Sequence, residues 1–455
     1  MEATETVEQS PWPRCPEATE FFHSLFRAFA VHNPGIAAMA DRFHEQAGVP
    51  LTNLIDHWTV PHTYSLSEEL ATIGLRESRT VDDDPVWEHP AARLPRLRID
   101  EGASTVRMAV AVEDLRLFAE CNNLPVQGQH GDPDSGYEEV RYPQEHGELA
   151  VIVRRGYRGF RPGRLTAPEE RLIRNARQTM RERDRERDGA STAERTGRLL
   201  AALAEEIDGD RLVDEFFAAE RDYYMARNRA ARWQYERQQA LGFGWANHDH
   251  HTFRSSRTGF RSLINLWRQL GFETREKFYA GAEAGWGAQV LEHPVSRVVL
   301  FCDADMAPEE VSVDYSQVDL PPLDRLGTIG LWCGLHGESI AEAGLHHLEA
   351  EFDFVRARDQ LRAAGIGVMP PFTDLPMLKQ AFTEAETWPV APSRADSLRE
   401  LGLITAEQRD RFVAQGAPGS HLEILQRWDG FKGFNKTGIN SIIRHTDARL
   451  AALVK

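Results

Sequence analysis

Between residues 18 and 48 apolar side chains recur at helical spacing, with Phe21, Phe22, Leu25, Phe26 and Phe29 along one side and Pro34 as an interruption. Residues 51–160 change character. Short alternating runs such as "TVRMAVAV" and "ELAVIV" predict strands, separated by Gly and Pro. From 166 to about 240 the pattern becomes helical and heavily charged. "TAPEERLIRNARQTMRERDRERD" opens with a Thr N-cap and a Pro in the first turn. Its signs alternate, so the run is expected to be a solvated helix face.

After residue 245 a strand–helix unit occurs twice. "HDHHTFRSS" predicts a strand. It is followed by a helix with Phe260, Leu263, Ile264, Trp267 and Leu270 at helical spacing, closed by Gly271. "GLHHLEAEF" predicts the second strand, with a helix from about Phe354 to Ala364 closed by Gly365. Strand candidates follow each helix: "AQVLE" and "RVVLFC" in the first unit, "GVM" and "HLEILQR" in the second. Two βαβββ-like units of this kind are what a duplicated metal-binding barrel needs. The first half carries an echo, with Asp56-His57 matching Asp249-His250 and "RRGYRGF" at 154–160 matching "RWDGFKGF" at 427–434. A one-residue gap between these endings brings Glu148 opposite Glu423. The expected organisation is an N-terminal α+β half over 1–165, read as an altered repeat, a helical connector over 166–244, and a metal-binding α+β domain over 245–455.

Composition narrows the function. A length of 455 residues is enough for two or three domains. With 41% hydrophobic and 27% charged residues, the balance is that of a globular protein. A net charge of −17 argues against a nucleic-acid partner. No apolar run approaches the ~20 residues that span a bilayer, and the acidic, polar start does not read as a secretory signal. Cys15, Cys121, Cys302 and Cys333 are far apart and form no C-x-x-C pair, which fits a reducing cytoplasm.

Candidate chemistry follows from alternation along the strands. His250, Thr252 and Arg254 point to one face, and His251, Phe253 and Ser255 to the other. Phe253 belongs in a core, so the His250 face is the pocket face. In the second strand His347, Glu349 and Glu351 share a face. In the third, Glu423, Leu425 and Arg427 alternate with Leu422, Ile424 and Gln426. His250, His347 and Glu423 then supply two imidazoles and one carboxylate, the recurring ligand set of non-haem Fe(II) oxygenases. Zinc accepts the same donors. Arg254, with its planar fork, would hold a substrate carboxylate; the structural alternative pairs it with Glu349 on the neighbouring strand.

These segments resemble the DUF1338 family, the 2-oxoadipate dioxygenase/decarboxylase (2-hydroxyglutarate synthase) group of the vicinal oxygen chelate superfamily. "DHHTFR" is similar to the family's first ligand motif, which implies His250 as ligand and Arg254 as carboxylate anchor. "HHLE" is similar to a motif that reads like "NHLT", implying His347. "GSHLEILQR" is similar to a longer "GSH…GEIEQR", implying Glu423 as the metal-binding and catalytic carboxylate, with Gln426 and Arg427 assisting Arg254 at the substrate. "GFNKTGINSIIRHTD" and the opening "LFRAFAVHNPGIAAMADRFHEQAGVPLTNLIDHWTV" also resemble family segments. His57 competes with His250 for the first-ligand role, but "DHWTVPH" has Pro61 where the arginine would stand.

The fold the resemblance implies is α+β, with vicinal-oxygen-chelate-like βαβββ modules forming a metal-binding barrel and a large helical insertion. The activity it implies is an Fe(II)-dependent dioxygenase that uses O2 on a small 2-oxo acid, coupling decarboxylation to hydroxylation. Zn, Mn or Ni are the alternative metals. A lyase or isomerase of the same fold and a non-catalytic binding protein are the competing classes. A helix-borne HD phosphohydrolase is disfavoured, because "HTF" reads as strand. The sequence leaves open the oligomeric state and whether His57, His62 and Glu148 form a second or residual site.

Overall fold

In a computed structural model the chain is described over residues 12–126, 128–186, 188–373, 375–435 and 446–450. Most of the segment "KTGINSIIRHTD" therefore lies outside the described residues. The predicted entry helix is two helices, Pro16–His32 and Pro34–Ala47, each with Pro in its first turn. No helix among the described residues is long and apolar enough to cross a membrane.

The first sheet contains β1 (Ile55–Pro61), β2 (Arg76–Arg79), β3 (Pro85–Glu88), β4 (Arg96–Asp100), β5 (Arg107–Ala111), β6 (Tyr137–Gln144) and β7 (Gly147–Arg154). Their spatial order is β2-β3-β4-β1-β5-β7-β6. The second sheet contains β8 (His248–Arg254), β9 (Glu273–Tyr279), β10 (Trp286–Glu292), β11 (Val299–Asp305), β12 (His347–Glu351) and β13 (Leu378–Phe382). A ribbon of β14 (Thr387–Trp388) and β15 (Ala417–Pro418) stands apart, and β16 (His421–Arg427) completes the sheet. Its order is β13-β16-β12-β8-β11-β10-β9.

Both sheets are built by the same rule. A strand runs into a helix, and the last strand of the unit returns parallel to the first: β1 with β4, β5 with β7, β8 with β11, β12 with β16. The two units of a sheet join through their first strands, β1 against β5 and β8 against β12, antiparallel in both cases. Each sheet is thus a pair of strand–helix–strand units, the paired-module arrangement expected from sequence, with only two strands after the helix in each second unit, and each sheet curls into a half-barrel. The predicted "GVM" strand is reduced to a single bridge, Val368 to Thr383.

The two ladders match position for position. His57 pairs with Ala109 as His250 pairs with Glu349, and Thr59 with Arg107 as Thr252 with His347. Ala109 pairs with Ala150 as Glu349 pairs with Glu423. Even the irregularity repeats: Asp56 and Asp249 are the extra residues of a β-bulge. A bulge re-aims the side chain it carries. That is how an aspartate next to a histidine in sequence reaches the same side of the strand. Each aspartate is gripped from the end of its sheet's last parallel strand. Arg154 donates to both oxygens of Asp56, at 2.9 and 3.1 Å, and Arg427 to both of Asp249, at 3.0 Å each. Arg154 also donates to the carbonyls of Tyr157 and Gly159, and Arg427 to those of Phe431 and Gly433.

Residues 167–239 are mainly helical, beginning with a complete capping box at Thr166 and Glu169. One expectation is corrected. The charged run is not only a solvated face, because Arg183 and Glu220 are buried and 3.0 Å apart, and Arg177 reaches Glu215 at 2.7 Å. The helix Gly209–Arg227 brings these acids to the run, 37 residues on for Arg183. Phe217 of that helix packs against Phe253 and Trp267, behind the second sheet.

The bulge lock is expected to bear on stability in the first sheet. Arg154→Ala should cost on the order of 3 kcal/mol, because it strips Asp56 of its main cation in a mostly buried setting. Urea denaturation measures this, and a loss under about 0.5 kcal/mol, the range of inert surface substitutions, would contradict it.

Candidate metal centre

Four donors converge on the concave face of the second sheet: His250 from β8, His347 and Glu349 from β12, and Glu423 from β16. One ligand atom from each lies within 4.8 Å of the others, and all four side chains are buried. Strand alternation explains the set. His347 and Glu349 are two apart on β12, and Glu349 is the register partner of both His250 and Glu423. Glu349 is the residue that sequence reasoning left out of the ligand set. Its signal was present, since it shares the His347 face. Glu351 shares that face too, but it lies past the bulge and pairs with Arg93 at 2.5 Å.

The donors lie close to one another, and one carboxylate among them is left unsatisfied. His250 Nε2 lies 3.0 Å from Glu349 Oε2, yet neither oxygen of Glu349 has a hydrogen-bond partner. His347 Nε2 lies 2.9 Å from Glu423 Oε2. Buried carboxylate oxygens without partners are costly, and a divalent cation would satisfy them. Two neutral imidazoles with two carboxylates suit a first-row divalent metal, so the residues fit such an ion. The surroundings orient the set. Asp249 Oδ1 lies 3.1 Å from His250 Nδ1, which holds that proton and leaves Nε2 for a metal. Gln380 donates to Glu423 Oε1 at 3.0 Å, and the Phe434 ring packs edge-on to His250 at 4.9 Å.

The electrostatics agree with a site built for a cation. Burial, and then the charge of Glu423, pushes Glu349 up to about 7. Burial pushes Glu423 up to about 7 as well. Burial acts to lower His250, but Glu349 and Asp249 outweigh it and raise it to about 9. At the matching position of the first sheet, burial lowers His57 to about 4, with only Asp56 opposing.

That sheet has the same support but not the donors. His57 has its Asp56 contact, at 2.6 Å, and its Phe160 edge contact, at 4.7 Å. Arg107, Ala109 and Ala150 stand where His347, Glu349 and Glu423 do. The expected match of Glu148 with Glu423 is corrected: Glu148 occupies the His421 position and pairs with Arg107 at 2.6 Å. The one-residue gap falls after the arginines: Arg154 matches Arg427, whereas Tyr157, Gly159 and Phe160 match Phe431, Gly433 and Phe434. His62 is exposed. Among the described residues, His57, His62 and Glu148 do not form a metal-holding group.

A cavity of ≈ 70 Å³ is lined by His250, His347 and Glu423, walled by Phe278, Phe301, Phe372, Phe382 and Phe434, and also bordered by Arg254 and Asp303. Arg254 Nε lies 3.4 Å from Asp303 Oδ2, a long contact, and its Nη1 is buried without a partner. The structural alternative weighed from sequence paired Arg254 with Glu349. Asp303 takes that place because it is the register partner of Arg254 on the parallel strand β11. Gln426 and Arg427 are not at the cavity, and this corrects their expected substrate role. Gln426 accepts from the backbone N of Phe354, on the opposite face of β16, and Arg427 is occupied by Asp249 and two carbonyls. Larger clefts of ≈ 500 and ≈ 550 Å³ lie along the first sheet and the helical block. Their arginines are already matched, Arg158 by Glu88 and Arg155 by Glu138.

No family model and no curated protein matches the sequence. Solved structures do. The chain is similar to a protein from Shewanella frigidimarina, 14% identical with a TM-score of 0.34, over 49% of this chain and 96% of that one. It is similar to methylmalonyl-CoA epimerase from Mycobacterium tuberculosis, 12% identical with a TM-score of 0.23, over 40% and 88%. It is also similar to YdcJ from Shigella flexneri, described as including domain DUF1338, at 12% identity and a TM-score of 0.24, over 53% and 73%.

Two outcomes are expected. Protein purified without oxygen should hold one first-row metal per chain, and Ala at His250, His347, Glu349 or Glu423 should each remove most of it; full occupancy in every variant by elemental analysis would refute the assignment. Metal affinity should also rise with pH. Glu349 and Glu423 sit near 7 and His250 near 9, and each must lose its proton to bind. Below about pH 7, affinity should fall roughly tenfold per pH unit for each proton displaced. Competition with a chelator from pH 6 to 8 would show this, and a flat profile would count against these residues as ligands.

Proposed function

We propose that the protein is a metal-dependent oxygenase that acts on a small 2-oxo acid or a related carboxylate, with Fe(II) as the metal. The observation that carries this reading is the buried, unpaired Nη1 of Arg254, a residue that lines the same cavity as His250, His347 and Glu423 of the donor cluster. A guanidinium at that point suits a carboxylate, while the other end of a short substrate reaches the donor cluster. Bound iron would supply the redox chemistry with O2. In the reaction a 2-oxo acid loses its first carboxyl carbon as CO2, and O2 provides one oxygen to the new carboxylate and one to a hydroxyl on the same product. The chain's own contribution is positional. Arg254 fixes the substrate, with Trp332 5.4 Å beneath its guanidinium. The aromatic wall excludes water, and Asp249, gripped by Arg427, holds His250 in one tautomer.

A second reading is favoured by one observation. Both oxygens of Glu349 are without hydrogen-bond partners and its carboxyl is pushed up to about 7. A carboxylate near neutrality next to a polarised carbonyl suits proton abstraction, which a lyase or isomerase with Zn, Mn or Ni would use.

Oxygen consumption separates the two. A set of short 2-oxo acids given to the Fe(II)-loaded protein should yield one CO2 per O2 consumed. Product formed at an equal rate without O2 would overturn the oxygenase reading in favour of the proton-transfer one. At the same site, Arg254→Ala should leave metal content intact and weaken substrate binding by tens- to thousands-fold, the cost of a lost charge-assisted contact. Lys should recover only part, since a point charge lacks the planar fork. Unchanged affinity in a destabilised Ala variant would show that Arg254 serves only Asp303.

A further inference from the structure

The histidine that precedes the second candidate metal donor belongs to the cavity wall. His346 is buried, lines the cavity, and its Nε2 has no hydrogen-bond partner. Its other ring nitrogen, Nδ1, lies 3.1 Å from Nδ1 of His347. Two ring nitrogens at that distance form a hydrogen bond only if one carries the proton and the other a lone pair.

His347 decides which. Its Nε2 faces the donor cluster, 2.9 Å from Glu423 Oε2 and 2.6 Å from Thr252 Oγ1. To ligate through Nε2, a neutral His347 must keep its proton on Nδ1. That proton is then donated to Nδ1 of His346, which has to accept. A neutral His346 must therefore carry its own proton on Nε2, the nitrogen that is buried and unpaired. An unpaired buried N–H is costly unless something accepts from it. Nothing among the described residues does.

A second unpaired donor lines the same cavity, Nη1 of Arg254. One ring underlies both: Trp332 is 5.4 Å from the Arg254 guanidinium and 5.3 Å, edge-on, from the His346 ring. Among the described residues, the remaining unpaired polar atoms of the cavity, Asp303 Oδ1 and Gln380 Oε1, are carboxylate and amide oxygens and do not serve an anion. We infer that His346 is a substrate-binding residue, presenting its Nε2–H beside Arg254 so that the two donors take the carboxylate of the substrate together. The tautomer is set through His347, so ligation and substrate recognition are coupled by one hydrogen bond. This rests on the reading of the site as a metal centre for a small carboxylate, and it adds a residue to the recognition of that substrate.

Zinc-loaded full-length protein with ¹⁵N-labelled histidine tests it directly. Two-bond ¹H–¹⁵N spectra should show His346 with its proton on Nε2 and His347 with its proton on Nδ1. A His346 protonated on Nδ1 would overturn the inference even if zinc is bound at His347, whereas failure to bind zinc at all would overturn the metal-centre reading beneath it. Oxalate titration gives a second measure. H346F should keep its zinc and bind oxalate roughly ten- to hundredfold more weakly, as for loss of a hydrogen bond to a charged group. H346Q, whose amide nitrogen reaches a similar place, should recover most of the affinity. Wild-type affinity in zinc-loaded H346F would refute the role. If H346F does not fold, the tautomer in the wild-type protein decides.

Discussion

The paired contacts of Arg427 with the carboxylate of Asp249, at 3.0 Å each, are the constraint on which the site depends. They tie the end of β16 to the bulge in β8, two segments 178 residues apart in sequence. The bulge turns Asp249 to the side of His250, and the arginine keeps it there. His250 then has its proton held at Nδ1 and its other nitrogen turned to the cluster. Burial would raise Asp249, but Arg427 and Arg93 outweigh it and hold its carboxyl well below the usual carboxylate range. The acid is thus a fixed negative charge behind the imidazole. β12 lies between β8 and β16, so the same closure sets the register that brings Glu349 opposite both His250 and Glu423.

The first sheet separates this scaffold from the chemistry it carries. It has the bulge, the aspartate, the gripping arginine, the histidine and the aromatic ring against it. It lacks both carboxylates and the second histidine. With Ala109 and Ala150 in place of Glu349 and Glu423, burial dominates and His57 falls to about 4, while its counterpart His250 rises to about 9. Glu349 therefore accounts for much of the difference between the packed imidazole of His57 and the candidate ligand His250. The fold alone does not confer the site. This fits a chain in which one half keeps architecture and the other adds chemistry.

Local pattern made much of this legible. Alternation in "HDHHTFR", "HHLEAEF" and "HLEILQR" is enough to put His250, His347 and Glu423 on inward faces, and it puts Glu349 there as well. What alternation does not reveal is which of Glu349 and Glu351 meets the other strands, because that depends on the bulge at Asp249 and on Arg93 from the other half. The work of Arg427 was hidden for the same reason: its partner lies in a distant strand, and inward-facing residues near a site read as substrate contacts. The mismatch at Glu148 came from carrying the gap between the endings back into the strand, whereas the ladder matches Glu148 with His421 and the gap falls after Arg154 and Arg427. Arg183 looked solvated because its buried partner, Glu220, belongs to a later helix. Inward direction is local information, whereas partner choice is not.

The most direct measurement of the central claim is anomalous diffraction from crystals of the metal-loaded protein, recorded on both sides of the absorption edge of the bound ion. The account predicts a single peak between β8, β12 and β16, with His250 Nε2, His347 Nε2 and oxygens of Glu349 and Glu423 at about 2.0–2.3 Å, the usual range for such donors. A peak elsewhere, or a peak there lacking either imidazole, would contradict it.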